Sequence, residues 1–310
     1  MNAPIAPARL RVGIVSAGRV GTAVGESLAA AGHDVASLVA RSPESRSRAA
    51  ARLPDARIVD TATLTADSSL ILIAVPDTEL PGVVDQIAAA APTPGTIVAH
   101  TAGAHGAAIL EPLARLGAIT VALHPAMTFV GSTDDTARLA SSCFGITSRD
   151  EIGDAIAAAL VLEMGATPVR IAEDDRTLYH AALAHGANNL IALIGDAVAA
   201  LDAAIAGPHG EHRDTATVDG PDPGVAERIL GPLVRASLDN VLAMGPSALT
   251  GPVARDDTAT VARHLAALAR LPDPHLVDGY RALAARAAAR SGAGPQMHEL
   301  LHEQSPEVTA

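Results

Sequence analysis

At 310 residues, with 49% hydrophobic residues and a mean hydropathy of +0.27, the chain is long enough for two domains and too apolar to be disordered. A net charge of −12 and an aromatic content of 1% argue against a broad nucleic-acid or anionic-membrane surface, which needs basic residues for phosphate and aromatic faces for bases. There is no lysine, which excludes Schiff-base, P-loop and lysine-acid mechanisms, and the single cysteine, Cys143, excludes an internal disulfide and suits a reducing compartment.

In chain order, "LRVGIV" (10–15) reads as a short buried strand, followed by a glycine turn and a helix from Val20 to Ala31 that Gly32 stops. "DVASLVA" (34–40), "LILIAV" (70–75), "GTIVAH" (95–100) and "AITVALH" (118–124) are further strands with helical segments between them. "SCFGITS" (142–148) and "ATPVRIA" (166–172) flank a helix at 151–164. Strands alternating with helices predict a doubly wound parallel sheet. From Asp175 to Ala206 the pattern is helical throughout, and helical patterns return at 225–244, 257–270 and 274–290 after a Pro/Gly/charged loop at 207–224. The tail from Ser291 is polar and reads as loose. The expectation is an α/β domain over 1–172 and an all-helical domain over 173–310. Neither a membrane-spanning helix nor an apolar leader is expected, which suggests a soluble cytoplasmic protein.

"GIVSAGRVGTAV", Gly13 to Val24, lies between the first strand and the first helix, where a dinucleotide enzyme has its phosphate-binding turn. In the G-x-G-x-x-G pattern the second glycine lets the backbone approach the pyrophosphate, and the third lets helix and strand pack closely. Gly18 and Gly21 take those places; Ser16 stands where the first glycine, which eases the tight turn, is expected. The predicted cofactor contacts are Ser16, Ala17, Gly18, Arg19, Val20 and Gly21 from the turn and helix start, and Val75, Pro76 and Thr101 from later strand ends. NAD enzymes usually place an acid at the end of the second strand. Here that strand ends "VARS", with Arg41 and Ser42 and then Arg46 and Arg48. A guanidinium without an acid favours NADP, the alternative being a solvated arginine cluster.

Three further stretches, "VALHPAMTF" (121–129), "TLYHAALAHGANNLIAL" (177–193) and "ALTGPVARDDTATVARHLAAL" (248–268), resemble bacterial Rossmann-like proteins with a helical C-terminal domain of once-unknown function. That group is related to ketopantoate reductases, hydroxyacid dehydrogenases and pyrroline carboxylate reductases. The resemblance spans roughly residues 10 to 285, with one departure: members usually read "ARGD", and Asp256 stands in place of that glycine. It implies an NADP-dependent oxidoreductase of a small oxo acid, 2-dehydropantoate (ketopantoate) being the most specific expectation, and a homodimer formed through the helical domain. A cyclic-imine reductase and a non-catalytic nucleotide-binding or scaffold protein are the alternatives. The related lysine enzymes place their proton donor on the first helix of that domain, where this chain offers Arg176, Tyr179, His180 and Asn188.

Carbonyl reduction needs a proton donor at the forming alkoxide, and histidine titrates in a suitable range. His180 begins the long helix, and Asn188 follows within about 80° of the same face at about 100° per residue. His124 and the pair His100-Thr101 close two strands at their carboxyl ends, where ligands bind in open α/β sheets. His180, Asn188 and His124 are therefore the predicted catalytic residues, with a buried, satisfied His–Asn pair as the structural alternative. Arg255 either pairs a substrate carboxylate or holds the helical domain together. "HGEH", His209 to His212, lacks the helical spacing of a metal motif, and no metal site is expected.

Overall fold

The computed structural model describes residues 9–206, 216–217, 220–221 and 224–302. The chain runs β1 (Arg11–Val15), α1 (Arg19–Ala30), β2 (Asp34–Val39), α2 (Pro43–Arg52), β3 (Arg57–Ile58), α3 (Thr61–Asp67), β4 (Leu70–Ile73), α4 (Leu80–Ala89), β5 (Ile97–His100), α5 (Glu111–Ala114), β6 (Ile119–Pro125), α6 (Asp134–Leu139), β7 (Cys143–Ser148), α7 (Glu151–Glu163) and β8 (Thr167–Arg170). Five helices follow: α8 (Arg176–Ala206), α9 (Val225–Met244), α10 (Thr258–Leu268), α11 (His275–Ser291) and α12 (Pro295–His302). It divides into two compact units, 1–185 and 186–310, and the division falls inside α8 rather than at 172/173.

The first unit is built on an eight-stranded sheet of order β3-β2-β1-β4-β5-β6-β7-β8. Its interior strands are mostly apolar runs because both faces are covered. In β4, Leu70 and Leu72 enter the core on one face while Ile71 and Ile73 enter the core on the other. The sheet is not wholly parallel, as the alternation had suggested. β7 lies antiparallel to β6, pairing His124 with Gly145, and β8 runs parallel to β7. Residues 126–142 return along the edge that β6 has just reached, with the short α6 in place of a full crossover helix.

The second unit has its own core, in which Val261, Leu265, Val277, Ala284, Ala288 and Met297 from α10, α11 and α12 are buried. Asp257 starts α10 by accepting the Thr260 N–H at 3.0 Å. The part of the expected loose tail that lies within the described residues, 291–302, is ordered: Gly292, at φ 70°, ends α11, and α12 then buries Met297 and Leu301. Asp256 adopts φ 59°, the conformation that a glycine supplies freely, and its carboxylate accepts the Gly294 N–H at 3.1 Å. The 34-residue stretch Glu173–Ala206, with a mean hydropathy of 1.7 in its most apolar window, is long and apolar enough to cross a membrane on length and composition alone. No Asp, Glu, Lys or Arg interrupts the run from Thr177 to Gly195.

Candidate functional site

Two groups of side chains meet the carboxyl edge of the sheet. The first is the turn from β1 into α1. The Ser16 and Ala17 N–H groups both donate to the Val39 carbonyl at 3.2 Å, which ties the turn to the end of β2. Ser16 adopts φ 84°, so the place of the first glycine is a left-handed one that serine occupies under strain. The tight turn therefore asks more of this residue than smallness.

The other two glycines differ in what the fold demands of them. A Cβ at Gly21 would collide with the Ser16 carbonyl oxygen and lie 3.1 Å from the Ala74 Cβ, so the packing of α1 on β1 requires glycine. At Gly18, the residue preceding α1, a Cβ would come no nearer than 3.5 Å to Ser16 Oγ and 4.0 Å to the Ala74 carbonyl. The fold would tolerate a Cβ there, so glycine serves instead to leave a bare stretch of backbone at a helix N-terminus, which is what a pyrophosphate needs. Arg19 and Val20 form the first turn of α1 behind it.

A cleft of about 370 Å³ adjoins this turn. Ser16, Ala17, Arg41, Ser42, Val75 and Pro76 all line it, so six of the predicted contacts share one cavity. Ser42 caps α2, accepting the Ser45 N–H at 3.1 Å, and Arg41 reaches Gln86 at 3.3 Å on the surface. Arg48 is held back by the Ala17 carbonyl at 3.1 Å. Glu79, from the segment after β4, lines the same cleft and was not singled out in the sequence. Thr101 is buried after β5, its N–H donating to the Ile73 carbonyl.

The second group gathers where β5 and β6 end and α8 begins. His124 Nδ1 lies 2.9 Å from the Tyr179 hydroxyl, with the rings edge-to-face at 5.6 Å. The His180 ring is 5.9 Å from His124, again edge-to-face. The Arg176 guanidinium stands 5.7 Å from the Tyr179 ring centroid, and its Nη1 donates to the Gly145 carbonyl at 3.2 Å. Arg176, Tyr179 and His180 fall at i, i+3 and i+4 of α8 and so share a face. Two glycines make the gathering possible. A Cβ at Gly145 would lie 2.7 Å from Tyr179 Cζ, and one at Gly103 would lie 2.5 Å from His180 Cδ2 and 2.9 Å from His124 Nε2.

The three histidines have different tasks. His100 is fully buried; its Nδ1 accepts the Ala102 N–H at 3.1 Å, which leaves Nε2–H to donate to the Gly106 carbonyl at 2.8 Å. Both nitrogens hold the 101–106 loop, so this imidazole is structural, and burial pushes its pKa down to about 4. His124 is also pushed down to about 4, by burial first and then by the charges of Arg176 and His180. It is neutral at pH 7 and pairs with a phenol whose own pKa burial raises and Arg176 partly restores. His180 alone of the three makes no hydrogen bond to another described residue.

The structure thus brings together His124 and His180 and adds Tyr179 and Arg176. Asn188 lies farther along α8, in the second unit. The family resemblance had already pointed to Arg176, Tyr179 and His180 on this helix, and their i, i+3, i+4 spacing is what sets them on one face. Cys143 begins β7 and is exposed. The His209–His212 stretch lies outside the described residues, and no group of three or more metal-ligating side chains occurs among those described.

Residues 1–125 match the Rossmann-like domain family, and residues 142–287 match a domain of unknown function, DUF2520. No curated protein is significantly similar in sequence. Among solved structures, a Bacteroides fragilis protein put forward as an NADP oxidoreductase superposes with a TM-score of 0.70 at 18% identity, covering 91% of this chain and 98% of its own. A reductive aminase from Aspergillus terreus, solved with a reduced NADP cofactor, cyclohexanone and allyl amine, gives 0.60 at 16% identity, with 95% and 99% covered. A pyrroline-5-carboxylate reductase from Coxiella burnetii gives 0.53 at 15% identity, with 91% and 99% covered. At these identities the likeness establishes the fold.

Proposed function

We propose that this chain, which joins a Rossmann-like domain to a DUF2520 domain, is an NADP-dependent oxidoreductase that reduces the carbonyl of a small oxo acid. The observation that carries the reading is the meeting, at one edge of one sheet, of a glycine cradle and an imidazole with no hydrogen-bond partner among the described residues. β1, β4, β5 and β6 run parallel, so the Ser16–Gly21 turn and the His124–His180 cluster both stand at carboxyl strand ends.

The bound dinucleotide would supply a hydride from its nicotinamide. The backbone at Gly18 and the N-terminus of α1 would hold its pyrophosphate, and Arg41 with Ser42 its second phosphate. Val75 and Pro76 wall the cleft. His180, which makes no hydrogen bond to another described residue, gives its proton to the carbonyl oxygen as negative charge develops there. The neutral His124–Tyr179 pair fixes the wall against which His180 sits. 2-Dehydropantoate is the most specific substrate this reading offers. A second reading, reduction of a cyclic imine, draws on the likeness to the pyrroline-5-carboxylate reductase and the reductive aminase.

The test is NADPH consumption with 2-dehydropantoate, other oxo acids and cyclic imines, beside fluorescence titration of NADPH and NADH. NADPH should bind more tightly, and Gly18→Val should abolish binding in a folded protein because the fold does not use that glycine. Binding without turnover on any compound would leave a nucleotide-binding protein and overturn the enzyme. The reading includes a homodimer formed through the helical domain. Ile191 on α8 and Leu242 on α9 are 67% and 77% exposed, and Leu233 is exposed beside them in the α9 sequence. A monomer by sedimentation at micromolar concentration would overturn it.

A further inference from the structure

Three residues other than glycine adopt a positive φ among those described, and two of them have a local reason. Ala91, at 51°, ends α4, its N–H returning to the Ala88 carbonyl at 3.0 Å, and the Asp256 carboxylate accepts the Gly294 N–H. Ser16, at 84°, has none: its hydroxyl makes no hydrogen bond to another described residue. Glycine would hold the same turn without strain, so the side chain at position 16 costs stability that nothing in the described fold offsets. Its place is specific. A Cβ at Gly18 would have Ser16 Oγ as its nearest neighbour, at 3.5 Å, so the hydroxyl borders the space beside that bare backbone. Ser16 also lines the cleft of about 370 Å³. The other two hydroxyls lining it are bound to the start of α2: Ser42 Oγ accepts the Ser45 N–H at 3.1 Å, and Ser45 Oγ donates to the Ser42 carbonyl at 2.9 Å. The backbone of the turn is committed as well. The Ser16 and Ala17 N–H groups both go to the Val39 carbonyl, and Gly18, at the N-cap of α1, has no side chain with which to cap the helix.

We propose that the Ser16 hydroxyl is a phosphate-binding group, donating a hydrogen bond to the pyrophosphate held by the Gly18 backbone and the N-terminus of α1. The proposal rests on the reading of this turn as the nucleotide site and adds a contact that the usual glycine cannot make. A hydroxyl donates strongly to a charged phosphate oxygen. With two N–H groups of the turn directed at β2, the side chain of residue 16 supplies a donor that its own backbone does not. The strain then has a reason: the left-handed backbone sends the Ser16 N–H to Val39 and leaves the hydroxyl beside Gly18. Serine there gives up some stability of the fold in favour of affinity, as strained residues at binding sites do. The part of the cofactor it touches also follows. Arg41 and Ser42 stand at the end of β2, where the second phosphate of NADP is expected, whereas Ser16 lies between β1 and α1. Ser16 therefore acts on the portion that NADPH and NADH have in common.

The test is fluorescence titration of NADPH and NADH, with thermal melts of the ligand-free protein, on the unaltered chain, Ser16→Ala and Ser16→Gly. Ser16→Ala removes the hydroxyl and keeps a side chain at positive φ; Ser16→Gly removes both. Each should weaken NADPH binding by about tenfold, as the loss of a hydrogen bond to a charged partner does. NADH should weaken by the same factor, because both dinucleotides carry the pyrophosphate. The melts should part: Ser16→Gly should melt above the unaltered chain while binding less tightly, whereas a merely structural role would move stability and affinity together. Arg41→Ala is the contrast and should weaken NADPH alone. Unchanged affinity in Ser16→Ala overturns the proposal. So does a loss confined to Ser16→Gly, which traces to a looser backbone, or a loss confined to NADPH, which puts the hydroxyl at the second phosphate. Should Ser16→Ala fail to fold, Ser16→Gly still decides: a higher melting temperature with weaker binding of both dinucleotides supports the proposal, and unchanged binding overturns it. An unaltered chain that binds neither dinucleotide overturns the nucleotide reading and this proposal with it; tight binding that neither Ser16 variant weakens overturns the proposal alone.

Discussion

Each unit of the protein contains a histidine–tyrosine pair, and the two are nearly superimposable in their internal geometry. His124 and Tyr179 lie 2.9 Å apart with rings edge-to-face at 5.6 Å; His264 and Tyr280 lie 2.8 Å apart with rings edge-to-face at 5.9 Å. The surroundings differ. The first pair sits at the carboxyl edge of the sheet with a guanidinium over the phenol and a second imidazole alongside. The second joins α10 to α11, and burial alone raises its phenol. Similar contacts thus stand in different surroundings: burial first, and then the charges of Arg176 and His180, lower the His124 pKa, while the second pair clamps α10 to α11.

The largest expected effect breaks the comparison at the chemistry. His180→Ala should lower turnover by about two to four powers of ten, the usual span for losing a general acid, with NADPH affinity unchanged. His264→Ala should keep full turnover. Equal losses in both would mean that the first cluster is not the acid. Next is the pH dependence of stability. The folded pKa of His124, about 4, lies below the ordinary 6.5, so below pH 6.5 the unfolded chain takes up a proton that the folded one refuses. Stability from this group is therefore complete above pH 6.5 and is lost as the pH falls toward 4, at about 1.4 kcal/mol for each pH unit crossed. Urea midpoints should fall through that window, and less steeply in His124→Phe. His100 contributes the same sign, so part of the slope survives.

Smaller still, Tyr179→Phe strips a partner from a mostly buried imidazole and should cost about 1–2 kcal/mol, against less than about 1 for Tyr280→Phe, whose partner His264 is exposed and finds water. The smallest effect concerns two residues in glycine-like conformations. Ser16→Gly should stabilise by about 1 kcal/mol through relief of its positive φ. Asp256→Gly should gain nothing, because it also gives up the carboxylate that accepts the Gly294 N–H. Thermal melts of the two variants would show whether that asymmetry holds.

The sheet was largely legible because its strands are uninterrupted apolar runs bounded by glycine, proline and acids. β3 was not, since Arg57–Ile58 is two exposed residues held only by their neighbour β2. The direction of β7 was not, since an apolar run reads alike in either sense. α12 was hidden by the polarity of its flanks, and the two buried residues Met297 and Leu301 were too few to mark a face. At the site, Gly18 and Gly21 were readable because the pattern assigns each a physical task, and the structure separates those tasks residue by residue. Ser16 was readable as a substitution but not as a strained one, because φ is invisible in sequence. Tyr179 and Arg176 were within reach of helical periodicity. The need for them came only from Gly145, whose missing side chain admits them and whose place opposite His124 depends on the reversed strand.

The strand order has a consequence for how the molecule is made. β1, which precedes the other described strands in the chain, is an interior strand that waits between β2 and β4. From β4 onward each new strand joins beside the last, so the sheet grows in one direction as it is synthesised. The turn around Gly18 has all its neighbours before α8 exists, and the nucleotide half needs nothing from Arg176, Tyr179 or His180 to close. A sheet that grows this way always presents an open edge to the cell. At completion one edge is the two-residue β3, and the other is β8, whose Arg170 is locked to Asp154; both are poor templates for a foreign strand.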